Sequence, residues 1–176
     1  KTALVSGLGG GVGPCSDYQA LVDAQNARGN RSVAHDMESF AKIKTWGVTD
    51  ILEDIAPPKY AQEDDAIGLQ IGDPDADVRS IVVTLDVTPG VVAEVRRRSA
   101  DLLISHHPLI SPRWQPLPAV RLDVYPQSLV YGLVNANAGL YVMHTNFDSA
   151  IGGINDVLCE RLGVMDTKVL LPTWTD

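Results

Sequence analysis

The 176-residue sequence has only two cysteines, Cys15 and Cys159. They lie far apart and lack Cys-x-x-Cys spacing. A disulfide framework and a cysteine-built zinc site are therefore excluded, while a single bridge or two reduced thiols both stay open. Basic residues are also scarce. Fourteen Lys and Arg against 22 Asp and Glu leave a formal charge of −8. A duplex-binding surface needs clustered cations to displace counterions, and the only such cluster is Arg96-Arg97-Arg98. It falls at the end of an expected helix, where cations suit the macrodipole. Nucleic acid is not expected as a partner. No run approaches the ~20 apolar residues of a membrane helix, and the apolar start at 3–5 stops at a glycine run, unlike a signal peptide. We expect no membrane association and a cytoplasmic location. Internal repeats, heptads and low-complexity tracts are missing too. The first residue is Lys1 rather than Met, so we expect the natural start to lie upstream.

Hydrophobic residues make up 45% of the chain, enough for one core, or for one domain with an appendage. Residues 2–6 predict a short buried strand, followed by the glycine run 7–13. Ser16 or Asp17 suits the cap of a helix to about residue 28. Residues 29–35 read as loop, with helices expected at 36–45 and 48–55 and a stop at Pro57-Pro58. The alternation of Ile67–Ile71 predicts a half-buried strand. Asp73–Asp77 reads as an acidic turn and 80–86 as a β-branched strand. Thr88-Pro89 opens a helix to about 98. A short buried strand covers 101–105, and the proline-rich stretch 108–126 reads as irregular loop. A helix at 127–138, a strand at 140–143, a helix at 152–162 capped by Gly163, and a strand at 167–171 complete the chain. Alternating strands and helices predict an α/β fold with a mixed or parallel sheet covered by helices.

Sites in open α/β sheets form beyond the carboxyl ends of the strands. Three of the expected strands end in groups able to bind metal: 80–86 in Asp86, 101–105 in His106 and His107, and 140–143 in His144. Three of the chain's four histidines fall at these ends. If these strands run parallel, the ends share one rim, with neighbours only about 4.8 Å apart. Consecutive residues of extended chain point to opposite sides, and Pro108 favours extended backbone at His107. On that geometry His106 and His107 serve two ions better than one, an arrangement used to activate water and clamp both oxygens of a displacement. The plainer reading is a pair of loop histidines. Asp148 suits a hard oxygen ligand or a turn carboxylate ahead of Gly152-Gly153. His144 suits a ligand, an orienting group or a catalytic acid/base near neutral pH. Asp86 suits a ligand, a histidine partner or a helix cap, and we favour the last two. Gly7–Gly13 matches neither G-x-G-x-x-G nor a P-loop, and reads as linker or tight turn rather than anion cradle.

Together these motifs resemble the GTP cyclohydrolase 1 type 2 homologues, the Nif-three-like dinuclear-metal proteins. The resemblance rests on Ile55-Ala-Pro-Pro58, Gly68-Leu-Gln-Ile-Gly-Asp-Pro74, Leu85-Asp-Val-Thr-Pro89, Ala100–Ile110 with its Ile-Ser-His-His-Pro core, His144-Thr-Asn-Phe-Asp148 and Gly152-Gly-Ile-Asn-Asp156. It implies a two-metal site with His106, His107 and Asp148 as ligands and His144 as a catalytic site residue. It also implies an α/β fold, a metal-dependent hydrolase that activates water, a small-molecule substrate, and a homo-oligomer, commonly a hexamer. The divalent metal would be Zn, Fe, Mn or Ni. The family completes its site with a His and a Glu near its C-terminus, and this chain has neither. We therefore expect a half-domain over 48–176, lacking that ligand pair, with an extra N-terminal segment over 1–47 that supplies no ligand, His35 included. A non-catalytic metal-binding or assembly module is the alternative. The family's Glu-Trp-Asp-Asn stretch is here Glu63-Asp64-Asp65-Ala66.

Overall fold

A computed structural model describes residues 4–5, 43–113 and 116–170. Its centre is a five-stranded mixed sheet. We number the strands β1 (Leu4–Val5), β2 (Ile43–Lys44), β3 (Gly68–Ile71), β4 (Asp77–Val78), β5 (Ile81–Thr84), β6 (Leu102–Ser105) and β7 (Gly139–Val142). The main sheet has the order β1-β5-β6-β7-β3, and β2 pairs with β4 apart from it. β1, β5, β6 and β7 run parallel, while β3 closes the edge antiparallel to β7.

The helices are α1 (Thr45–Ile55), α2 (Pro89–Arg98), α3 (Gln127–Asn135), α4 (Thr145–Ser149) and α5 (Ile154–Leu162). The period of two along β6 and β7 divides the core into two layers. Leu103, Leu140 and Val142 point to one face, where Val92 and Val95 of α2 and Leu129 and Leu133 of α3 cover them. Leu102, Ile104 and Tyr141 point to the other, against Val48 and Leu52 of α1. Central parallel strands buried on both faces read as continuous apolar runs, and all four residues of β6 and of β7 are buried.

α2 follows its sequence signals closely. The Thr88 side chain caps it by accepting from Val91 N, and Pro89 takes the first turn. Its Arg cluster is a helix-end feature: Glu94 receives two hydrogen bonds from Arg97, at 2.7 and 2.6 Å, and pairs with Arg98 as well. The Glu94 carboxyl is held down at about 2, first by Arg97 and then by Arg98.

Several expectations are corrected. α1 starts at Thr45, not 48, and Ile43–Lys44, expected at the end of a helix, form a strand with β4. Residues 167–170 form no strand, and Val169 and Leu170 are exposed. A strand needs a neighbour for its backbone groups, and none of the described strands pairs with this segment. α3 ends at Asn135 rather than 138, and Asn137 takes a positive φ of 54°. The glycine run, the helix to residue 28, most of the helix at 36–45 and His35 lie outside the described residues. Among the described residues no helix is long and apolar enough to cross a membrane.

Candidate metal centre

β5, β6 and β7 are neighbours in register, with Thr84 beside Ser105 and Ser105 beside Val142. Their carboxyl ends therefore share one rim, and Asp86, His106, His107 and His144 stand on it. The backbone ladder continues past the strands: His106 N donates to Thr84 O (3.1 Å) and Met143 N to Ser105 O (3.0 Å).

The two adjacent histidines do not diverge as regular extended chain would place them. His107 N donates to Leu85 O (2.9 Å), so two consecutive amides both face β5. That breaks the pleat, as a bulge does, and re-aims a side chain. The Ser105 hydroxyl donates to His107 O (2.9 Å) and ties the bend. The imidazole centroids of His106 and His107 lie 4.9 Å apart, and that of His144 lies 5.2 and 5.8 Å from them. One ring nitrogen from each of the three falls within 4.8 Å of the others.

Each imidazole has a partner behind it. His106 Nδ1 lies 2.8 Å from Met143 O, His107 Nδ1 2.7 Å from Asp86 Oδ1, and His144 Nδ1 2.8 Å from Asp65 Oδ1. A carboxylate or carbonyl acceptor holds the proton on Nδ1 and leaves Nε2 with its lone pair free. All three rings thus keep Nε2 as the nitrogen free to bind a metal, and that of His106 faces Asp148. Burial, first of all, holds His106 below the ordinary histidine pKa, against the pull of Asp148, which keeps it neutral and able to donate a lone pair.

Asp148 joins the cluster through α4. The chain leaves β7 at His144 and makes one helical turn, with Asp148 N donating to His144 O (3.1 Å). Residues four apart on a helix share a face. The carboxylate comes within 3.6 Å of His106 Nε2. Asn155 Nδ2 donates to the Asp148 carbonyl (2.9 Å) and fixes the turn from α5. Asp86 proves to be the partner of His107, while Thr88 performs the capping.

Asp65 escaped the sequence reading as a site residue. Its carboxylate takes His144 Nδ1, Thr145 N (3.1 Å) and the Thr145 hydroxyl. Burial pushes this carboxyl up, but the Thr145 and His144 hydrogen bonds outweigh it and leave it below the usual range. In Glu63-Asp64-Asp65-Ala66 three carboxylates stand side by side, and nothing local sets Asp65 apart from its neighbours. The rim opens to solvent at His107, beside a cleft of about 220 Å³ bounded by Asp86, Leu109 and Tyr125.

The donor set tests well against a divalent ion. Zinc–imidazole bonds of about 2.1 Å put two nitrogens of one tetrahedral ion about 3.4 Å apart, and paired ions stand about 3.5–4 Å apart. Ring nitrogens all within 4.8 Å of one another are close enough to share one such ion or to serve a pair.

Fold and rim together define an α/β protein with a histidine–carboxylate cluster at the carboxyl ends of its parallel strands. The chain belongs to the Duf34/NIF3 (NGG1p interacting factor 3) family, whose sequence pattern matches residues 43–174. It is 38% identical over 129 residues to the GTP cyclohydrolase 1 type 2 homolog of Bacillus subtilis, covering 73% of this chain and 34% of that protein. The Lactococcus lactis protein of the same name is 37% identical over 118 residues, covering 67% and 45%. Among solved structures, the Bacillus cereus protein related to NIF3 superposes with a TM-score of 0.70 at 38% identity, covering 75% of this chain and 35% of that one. Reduced HcgD from Methanocaldococcus jannaschii gives 0.67 at 29% identity, covering 77% and 53%. The chain spans about a third of the length of the first curated relatives it matches.

Proposed function

We propose that this chain contributes His106, His107, His144 and Asp148 to a divalent-metal centre, and that the centre serves hydrolysis of a small molecule. The observation that carries this reading is the convergence of three imidazoles, each with Nδ1 engaged by a partner and one ring nitrogen of each within 4.8 Å of the others. Core histidines with purely structural roles have no reason to converge. Imidazole with carboxylate suits Zn, Fe, Mn or Ni. A divalent ion there supplies Lewis acidity toward a carbonyl or phosphoryl oxygen and lowers the pKa of water. The protein's own part is to hold neutral imidazoles through Met143 O, Asp86 and Asp65, and to place Asp148 beside them.

The donors present support a two-ion arrangement only thinly. Among the described residues, four such groups divided between two ions leave about two each, where a catalytic zinc usually has three protein ligands. That count favours a second reading, in which the chain is a metal-binding or assembly module that needs further donors for catalysis. Titration of the chain with Co(II) and Zn(II), followed by calorimetry and absorption, tests the metal reading. Binding that His106→Ala and Asp148→Asn both weaken supports it, and absence of binding by the wild-type chain refutes it. Hydrolysis by the metal-loaded chain alone would set the module reading aside.

A further inference from the structure

The pairing of β3 with β7 runs from Leu69 opposite Tyr141 to Ile71 opposite Leu140, which leaves Gln70 as the extra residue of a bulge. A bulged residue is released from the alternation of the strand and its side chain can be re-aimed. Here the carboxamide reaches past β7 to the segment that follows β6. Nε2 donates to Ile110 O (2.6 Å) and Ala66 O (3.1 Å), while Oε1 accepts from Ile110 N (2.9 Å) and Leu109 N (3.2 Å). A carboxamide has two donors and two acceptor sites, and all four are used. The network also fixes the amide's orientation, because turning it over would set NH₂ against two N–H groups and oxygen against two carbonyls.

The residues it holds are placed with purpose. Leu109 and Ile110 follow His106-His107-Pro108 directly. Ala66 follows Asp65, which orients His144. One side chain therefore joins the loop bearing two imidazoles to the loop that aims the third.

We propose that Gln70 is a positioning residue of the metal centre: its carboxamide clasps residues 109–110 to Ala66 and so sets His106 and His107 against His144. The inference rests on the metal reading above. Gln70 makes no hydrogen bond to any of the three imidazoles; it acts through the backbone on either side of them.

The test uses the full chain with Gln70→Glu, which keeps the shape but sets a carboxylate oxygen against two carbonyls, and Gln70→Met, which removes all four bonds without adding charge. Two readouts are taken: the ring resonances of His106 and His144 in metal-free protein, and Co(II) titration followed by visible absorption. Both variants are expected to move the ring resonances, to change the cobalt spectrum, and to weaken cobalt binding about 10–100-fold, the range for losing an outer partner of metal ligands. A merely structural role would lower the melting temperature and leave ring resonances and cobalt spectrum as in the wild type, and that result overturns the proposal. If Gln70→Glu does not fold, Gln70→Met decides. Loss of the fold in both also overturns it, in favour of a structural role. If wild-type protein takes up no cobalt, the metal reading fails, and the ring resonances still decide whether Gln70 sets the imidazoles.

Discussion

Asn146 offers a sharp test of how His144 is held. The side chain is 1% exposed. Its Oδ1 accepts from His144 N (2.9 Å), at the point where the chain turns from β7 into α4, and its Nδ2 donates to Ala56 O (2.8 Å), at the end of α1. Ala56 is itself fully buried, so no water stands ready to replace the amide. Asn146→Ala leaves the part-buried His144 N–H and the buried Ala56 carbonyl without partners. Each orphan costs about 1–3 kcal/mol, so the pair costs about 2–6 kcal/mol. A domain has only about 5–15 kcal/mol in all. With a urea slope of about 2 kcal/mol per molar, the midpoint should fall by about 1–3 M at constant slope. Asn146→Asp keeps the acceptor for His144 N but replaces the donor to Ala56 with a second oxygen, and its carboxylate is buried without a cation. It should destabilise at least as much. Urea unfolding by circular dichroism measures both. A midpoint for Asn146→Ala within about 0.3 M of wild type would show that these two bonds are not what they look like, and that α4 carries little of the fold's stability.

Three further expectations are independent of that one. Burial, and then Glu53 at 3.4 Å from the hydroxyl, raise the Tyr141 phenol above its ordinary value of 10.0; the contribution is therefore complete below pH 10 and lost as pH rises through the folded-state value. The stability difference between wild type and Tyr141→Phe should shift against the wild type above pH 10, and ultraviolet titration should show one tyrosine resisting ionisation until unfolding. Thr88→Ala removes the side-chain acceptor for Val91 N at the start of α2 and should cost about 1 kcal/mol in chemical denaturation; no loss would mean that Pro89 alone starts the helix. Gly72 has φ +122°, and a Cβ there would stand 2.9 Å from Gly139 Cα. Gly72→Ala should therefore destabilise by more than the roughly 1–3 kcal/mol of backbone strain alone, read as a drop in melting temperature.

That the central strands share one rim was legible because each of β5, β6 and β7 is a short apolar run followed within two residues by a polar residue that stands on the rim. α2 was legible because its signals are local: a capping threonine, a proline in the first turn, arginines in the last. α1 was legible over 48–55 but not at its start, for a physical reason. Lys44 supplies no side-chain cap. The first amides of the helix, Thr45 N and Trp46 N, are satisfied by Ala76 O and Pro74 O, 31 and 28 residues away, each at 2.9 Å. A cap provided by distant backbone leaves no mark on the helix's own sequence. β2 and β4 have two residues each, too short for any period to show.

The candidate site divides in the same way. That His106, His107, His144 and Asp148 meet could be read, since they stand in two compact motifs at strand ends. Their arrangement could not, because the alternation rule that separates adjacent side chains holds only while the pleat holds. Consecutive hydrogen bonds from His106 N and His107 N to Thr84 O and Leu85 O break it at the one place where it decides the geometry. The acceptors behind the imidazoles are graded in legibility by their chemistry. Asp86 stands 21 residues before His107 and was found because it too ends a strand. Asp65 stands 79 residues before His144, in an acidic loop where one carboxylate looks like the next, and only the hydrogen bonds of the folded chain select it. Met143 O, which faces His106, is a backbone carbonyl. Every residue has one, so no sequence pattern can mark it, and a histidine oriented by main chain will look from sequence alone like a histidine oriented by nothing.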